Sequence, residues 1–144
     1  MQEFKMNVHA DFHAQAEKLK FETRAFIDGA YVAAESGETF ETVNPATGKL
    51  LADVAAGGAA DVDLAVRAAR RSFEAGSWSG MPPRERKKIL LRFADLIEEH
   101  SAELALIETL DCGKPINDSL SVDLPDSVET LRWHAEATDK IYDQ

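Results

Sequence analysis

Leu106-Ile-Glu-Thr-Leu-Asp-Cys-Gly-Lys-Pro-Ile116, read together with Val43-Asn-Pro-Ala-Thr-Gly48 upstream, decides the fold. Into the first stretch run Leu104, just ahead of it, Ile107 and Leu110, which recur at helical spacing. Gly113 and then Pro115 end that helix, the glycine by accepting a left-handed conformation and the proline by being unable to continue the ladder. The second stretch is a turn between two strands, Thr39 to Val43 and Leu50 to Ala55. Pro45 presets φ there, and Gly48 takes the left-handed position. Neither stretch is a catalytic motif by its own chemistry.

Outward from these anchors the periodicity changes twice. Asp28-Gly29, set between the apolar and aromatic residues of Ala25 to Val32, is a two-residue hairpin signal, because both central positions favour positive φ. After Gly57-Gly58 the pattern turns helical. Asp61 and Asp63 load the first turn with charge that suits a helix amino terminus, and Val62, Val66, Ala69 and Phe73 line one face up to the stop at Gly76. The amphipathic helices are expected to leave a sizeable apolar patch exposed on the chain alone. Met81-Pro-Pro83 opens a second helix through Ile89, Leu90, Phe93, Leu96 and Ile97, which gives way at His100-Ser101 and continues to Gly113. A third is predicted from near Leu124 to Ile141, striped by Leu124, Val128, Leu131 and Ala135. Before the hairpin, Phe12, Ala16 and Leu19 recur at helical spacing within Ala10 to Lys20, which predicts a short amphipathic helix packed on something or a frayed arm. The expected fold class is α+β, with a helical arm over 1–24 and one domain over 25–144.

Composition narrows the function. With 144 residues the chain holds one ordinary core and hardly two. A net charge of -10 argues against a nucleic-acid partner, since phosphate binding needs clustered Lys and Arg. No stretch has the eighteen or so apolar residues of a membrane helix, the first residues do not form a secretory signal, and a lone cysteine excludes an internal disulfide framework. These features predict a cytoplasmic protein.

Candidate chemistry is sparse. Gly57-Gly58 forms no phosphate-binding loop and reads as a strand-to-helix turn. Cys112 follows an acid at a helix end, where the dipole raises a thiol pKa, so it is a poor nucleophile. His9 and His13 have the spacing of a helical metal pair but lack a third ligand; His100 and His134 carry no specific signal. Asp123 and Asp126, three apart around Pro125, read as the cap and first turn of the third helix, a role compatible with one toward substrate.

Phe26-Ile-Asp-Gly29, Val43-Asn-Pro-Ala-Thr-Gly48, Asp61-Val-Asp63, Ala94-Asp-Leu-Ile97, Leu106-Ile-Glu-Thr-Leu-Asp111 and Gly113-Lys-Pro115 form an ordered series. In that order and spacing they resemble the amino-terminal part of the NAD(P)-dependent aldehyde dehydrogenase superfamily, from about Phe26 to the last residue. Leu131 to Ile141 is most similar to the branch acting on γ-glutamyl-aminobutyraldehyde and other aminoaldehydes of putrescine metabolism. The resemblance implies the amino-terminal part of an α/β cofactor-binding domain in an enzyme that oxidises an aldehyde to a carboxylate. There a cysteine thiolate adds to the carbonyl, hydride passes to NAD or NADP, and a glutamate-activated water releases the acid. In a complete member those residues follow the position of Gln144, so no catalytic or cofactor-binding residue is expected here and no cofactor on this chain alone.

The resemblance does carry two sites over. A monovalent cation matches Thr42, Val43 and Asp111, with a purely structural Asp111 the open alternative. The substrate tunnel matches Val122 and Asp126, where acids at Asp123 and Asp126 attract the distant ammonium of an aminoaldehyde. The complete enzyme would be a homo-oligomer with a small aldehyde as substrate. The other functional reading is a stand-alone, non-catalytic interaction or oligomerisation module.

Overall fold

In a computed structural model, residues 11–140 are described. The chain enters through α1 (Phe12–Ala16), whose first turn is capped by Asp11 accepting the Ala14 N–H at 3.0 Å. The amphipathic pattern predicted a longer helix. No residue of α1 is fully buried, and a helix stabilised by little packing does not extend beyond its first turns.

Two antiparallel hairpins follow. β1 (Ala25–Ile27) pairs with β2 (Ala30–Val32), and both turn residues are left-handed as the sequence predicts, Asp28 at φ 54 and Gly29 at φ 80. Phe26 and Tyr31 are cross-strand partners, meeting edge to face at 5.1 Å. β3 (Thr39–Val43) pairs with β4 (Leu50–Ala55), and the ladder shifts register between Thr42 and Val43. In the turn the Gly48 N–H donates to the Asn44 carbonyl at 2.7 Å. No parallel strand pairing occurs among the described residues, so the class is α+β as expected.

The helical part begins with α2 (Ala59–Glu74) and continues through α3 (Pro83–Glu99) and α4 (Ser101–Cys112). The run expected to continue through His100 is divided there, with the residue at φ -102 and ψ 14, into two helices. Gly113 ends α4 at φ 75, as its sequence position predicts.

The largest departure concerns the third predicted helix. Helical structure starts at α5 (Ile116–Asp118), passes through a five-residue π-turn (Ser119–Asp123) and runs on as α6 (Leu124–Ala137). The predicted end near Ile141 lies outside the described residues. Pro125 therefore sits within a helical run, where it lacks an N–H and would crowd the carbonyl four residues back. The wider π-turn just before it relieves that crowding, with the Leu124 N–H reaching the Ser119 carbonyl instead.

The core lies where α3 packs along α6. Ala94 and Ala135 are fully buried at this contact, and small side chains let two helix axes approach closely. Val128, Leu120, and Ala105 and Leu106 of α4 complete it. Ion pairs close its edges: Arg132 reaches Asp95 at 3.0 Å and Glu98 at 2.5 Å, while Lys87 reaches Glu136 at 2.6 Å.

α2 is held differently. Its one buried residue is Asp61, whose carboxylate accepts the Gly58 N–H at 2.8 Å and the Glu35 N–H at 2.9 Å. Arg71 pairs with Asp28 of the first hairpin at 2.7 Å. The predicted stripe of Val62, Val66, Ala69 and Phe73 is exposed throughout.

Candidate functional site

The structure brings Thr42 and Asp111 together across 69 residues of chain. The Thr42 hydroxyl donates to the Asp111 carboxylate at 3.0 Å, joining the end of β3 to the last turn of α4. Gly113 seals the same junction, because a Cβ at that position would lie 2.8 Å from Pro45 Cγ. The register shift of the β3–β4 ladder falls between Thr42 and Val43, and such a bulge disrupts the regular pairing of backbone groups. A strand end, a turn and a helix terminus thus converge, with one carboxylate and main-chain oxygens as the available donors. Among the described residues no three His, Cys, Asp or Glu side chains gather to hold a metal ion, so any cation here would be held largely by carbonyls.

The second predicted locus divides into two faces of one helical run. Asp123 forms an ion pair with Lys114, and that carboxylate raises the Lys114 pKa above its ordinary value. Its backbone is helical and its side chain makes no capping hydrogen bond. The expected positions hold, with Asp123 at the cap position of α6 and Asp126 in its first turn, while the helical run that begins at Ile116 keeps the macrodipole's positive end about two turns ahead of Asp123. Asp123 lines a groove of about 710 Å³ between α3, α4 and α6, with Phe93, Leu96, Leu104, Leu124 and Ser119. Val122 and Asp126, four apart, share a different face. Both are exposed, and the Asp126 carboxylate has no hydrogen-bond or ion-pair partner among the described residues.

Cys112 is exposed, and the nearby Glu108 carboxylate, followed by desolvation, pushes its thiol pKa up. The thiol is thus biased away from the nucleophilic thiolate. Gly57 and Gly58 form the β4–α2 turn, and the amino terminus of α2 is filled by Asp61 instead of lying open to a phosphate. His100 borders the groove, His134 bonds the Thr130 carbonyl at 2.8 Å, and His13 is exposed on α1; His9 lies outside the described residues.

Sequence reading missed Lys114 as the partner of Asp123, since no periodicity links a loop lysine to an acid nine residues later. It also missed the groove, which depends on the division at His100. A proline inside a helical pattern was the available signal for the π-turn.

Comparison with known proteins sets these features in a family. The profile described as "Aldehyde dehydrogenase family" matches residues 31–144. The chain is 55% identical to an aminoacetaldehyde dehydrogenase from Pseudomonas aeruginosa over 92% of its length, and spans 27% of that relative. Among solved structures it superposes on a γ-glutamyl-γ-aminobutyraldehyde dehydrogenase from Burkholderia cenocepacia with a TM-score of 0.89 and 53% identity, over 91% of this chain and 27% of that one. It is similarly close to an indole-3-acetaldehyde dehydrogenase solved with NAD+, with a TM-score of 0.90 and 51% identity over 93% of this chain and 27% of that one. The chain belongs to the aldehyde dehydrogenase family.

Proposed function

We propose that residues 25–144, preceded by an arm over 1–24, serve as the amino-terminal part of the cofactor-binding domain of an NAD(P)+-dependent aldehyde dehydrogenase whose substrates carry a positive charge remote from the carbonyl. The complete enzyme is a cytoplasmic homo-oligomer in this reading, and the catalytic thiolate, the general base and the nucleotide contacts come from outside this chain. The observation carrying the substrate assignment is the Asp126 carboxylate, exposed beside Val122 and without a partner among the described residues. Asp123 contributes less, because Lys114 already offsets its charge. Relatives named for aminoacetaldehyde and γ-glutamyl-γ-aminobutyraldehyde support a cationic or amino-bearing substrate.

In a partly desolvated tunnel a carboxylate–ammonium contact favours the cationic substrate by about 1 to 3 kcal/mol, roughly 5- to 150-fold in kcat/KM, and by much less in open water. Asp126→Asn in a subunit carrying this chain together with its catalytic domain should lower kcat/KM for an aminoaldehyde and spare an uncharged aldehyde of similar length. Equal losses on both would assign Asp126 to helix stability, and no loss would remove it from the tunnel. The isolated chain should produce no NAD(P)H from aminobutyraldehyde, since neither an activated nucleophile nor a dinucleotide loop is among its described residues.

The Thr42, Val43 and Asp111 junction is proposed as a monovalent-cation site. What supports it is the ladder irregularity at Thr42/Val43, opposite a carboxylate held at 3.0 Å by the Thr42 hydroxyl. Exchanging sodium or potassium for a bulky quaternary ammonium ion at constant ionic strength should lower the melting temperature of the chain. Asp111→Asn should abolish that difference. A melting temperature indifferent to the cation would leave Asp111 with a structural role alone.

A further inference from the structure

From Ser101 to Leu131 the chain carries one lysine or arginine, Lys114, against seven carboxylates. Gly113, left-handed at φ 75, precedes it and Pro115, at φ -58, follows, so its backbone is fixed on both sides. From that loop the ammonium pairs with Asp123 in the π-turn, with 38% of one side chain and 34% of the other exposed. Asp123, and then Asp118 and Glu108, hold the Lys114 pKa above its ordinary value, which keeps the ammonium charged. Asp126, one helical turn on, has no such partner among the described residues. We infer that Lys114 is a specificity-determining residue, a built-in counter-ion that occupies Asp123 and leaves Asp126 as the one acid of the two open to a substrate's ammonium. This rests on reading Val122 and Asp126 as tunnel residues of the complete subunit, and extends it by giving the choice between the two acids to a loop lysine.

Lys114 has the advantage over any substrate at Asp123. Nine residues separate the two, a short tether whose effective concentration is on the order of millimolar, whereas a substrate arrives from dilute solution. A substrate ammonium approaching Asp123 would also meet a like charge. Asp123 and Asp126 stand three apart on a helical backbone, with Cβ atoms about 5 to 6 Å from one another. Removing Lys114 therefore brings a second bare carboxylate within Coulombic range of an ammonium held at Asp126. Both side chains of the pair are about a third exposed, so water and salt weaken the effect. The pair also ties the loop after α4 to the π-turn. Loss of a tie slows the oxidation of every aldehyde alike. Loss of a counter-ion changes charged aldehydes in opposite directions according to their sign, so the two roles separate.

The test uses a complete subunit that begins with this whole chain and continues with the stretch of the Pseudomonas aeruginosa relative beyond the match. Values of kcat/KM are compared for three aldehydes of similar length, one ending in an ammonium, one uncharged and one ending in a carboxylate. Lys114→Met should raise the ammonium-to-uncharged ratio about two- to fivefold and lower the carboxylate-to-uncharged ratio by a similar factor. Lys114→Arg keeps the counter-ion and should hold both ratios at their native values. Asp123→Asn should move neither ratio in the native background, yet in Lys114→Met it should restore both. Added salt should shrink the Lys114→Met effect. Unchanged ratios in Lys114→Met overturn the inference, and an equal loss on all three aldehydes is that result, with Lys114 then a structural tie. Asp123→Asn lowering the ammonium-to-uncharged ratio on its own overturns it too, because Asp123 would not be silenced. Asp126→Asn in the native background judges the tunnel reading by itself, so failure there is distinguished from failure at Lys114.

Discussion

The α6 helix and the α2 helix both carry amphipathic patterns, and among the described residues the stripe of α6 is covered, by the Ala94 face of α3, while that of α2 is not. The stripe expected of α3 itself leaves Ile89 46%, Phe93 51% and Leu96 37% exposed. In α3 and α6, Ala94, Val128 and Ala135 are at most 4% exposed and ion pairs close the edges. In α2 the corresponding stripe faces water, and the helix is fixed at one end by Asp61 and along its side by Arg71. Apolar periodicity says which face wants to be buried; it does not say whether the chain supplies the cover.

Substitutions test that contrast. Leu106→Ala is expected to have the largest effect. The side chain is 4% exposed under the α3–α6 core, and removing it should cost about 2 to 5 kcal/mol in chemical denaturation. A cost below 1 kcal/mol would mean that the core is loosely packed and the contrast with α2 weak.

Next is Gly113→Ala, at the junction that ties the second hairpin to α4. It forces a side chain into a left-handed residue at φ 75, with Cβ placed 2.8 Å from Pro45 Cγ. A destabilisation of about 1 to 3 kcal/mol follows from the strain and the clash. Pairing it with Pro45→Ala should recover part of this, because the second change removes the clashing atom. Simple additivity would show that the two sites do not touch.

Acid should then loosen both regions for one reason. Lys87, ahead of Lys140, holds Glu136 below the usual carboxylate range, and Lys140, ahead of Lys87, does the same for Asp139. The Gly58 N–H, ahead of that of Glu35, lowers Asp61. A carboxylate with a depressed folded pKa stabilises the fold above its unfolded pKa, near 4, and this contribution is lost as pH falls through the folded value. The melting temperature should therefore be flat from about pH 5 to 7 and fall below about pH 4. Lys87→Met should make the fall shallower, and an unchanged profile would remove the seam from the account. The shift should be small and diminish in salt, since Glu136 and Lys140 are more than half exposed.

Phe73→Ser is expected to have the smallest effect, within about 0.5 kcal/mol on the isolated chain, because this large aromatic is 65% exposed. A loss comparable to that of Leu106→Ala would show that α2 is covered after all.

Much of this architecture was legible in local chemistry. Asp28-Gly29, Pro45 to Gly48, Gly76 and Gly113 each specify a backbone conformation within a few residues, so both hairpins and the helix ends at Gly76 and Gly113 could be read directly from the sequence. The ordered motifs resembled the family to which the chain belongs. Tertiary structure decided what depends on residues distant in the chain. It alone set Asp111 against Thr42, paired Lys114 with Asp123, and made Asp123 an interior residue of a helical run while leaving Asp126 on an open face. A turn preference is a property of a few adjacent torsions. The surroundings of a carboxylate, or the cover of an apolar stripe, depend on what the rest of the polypeptide brings to it.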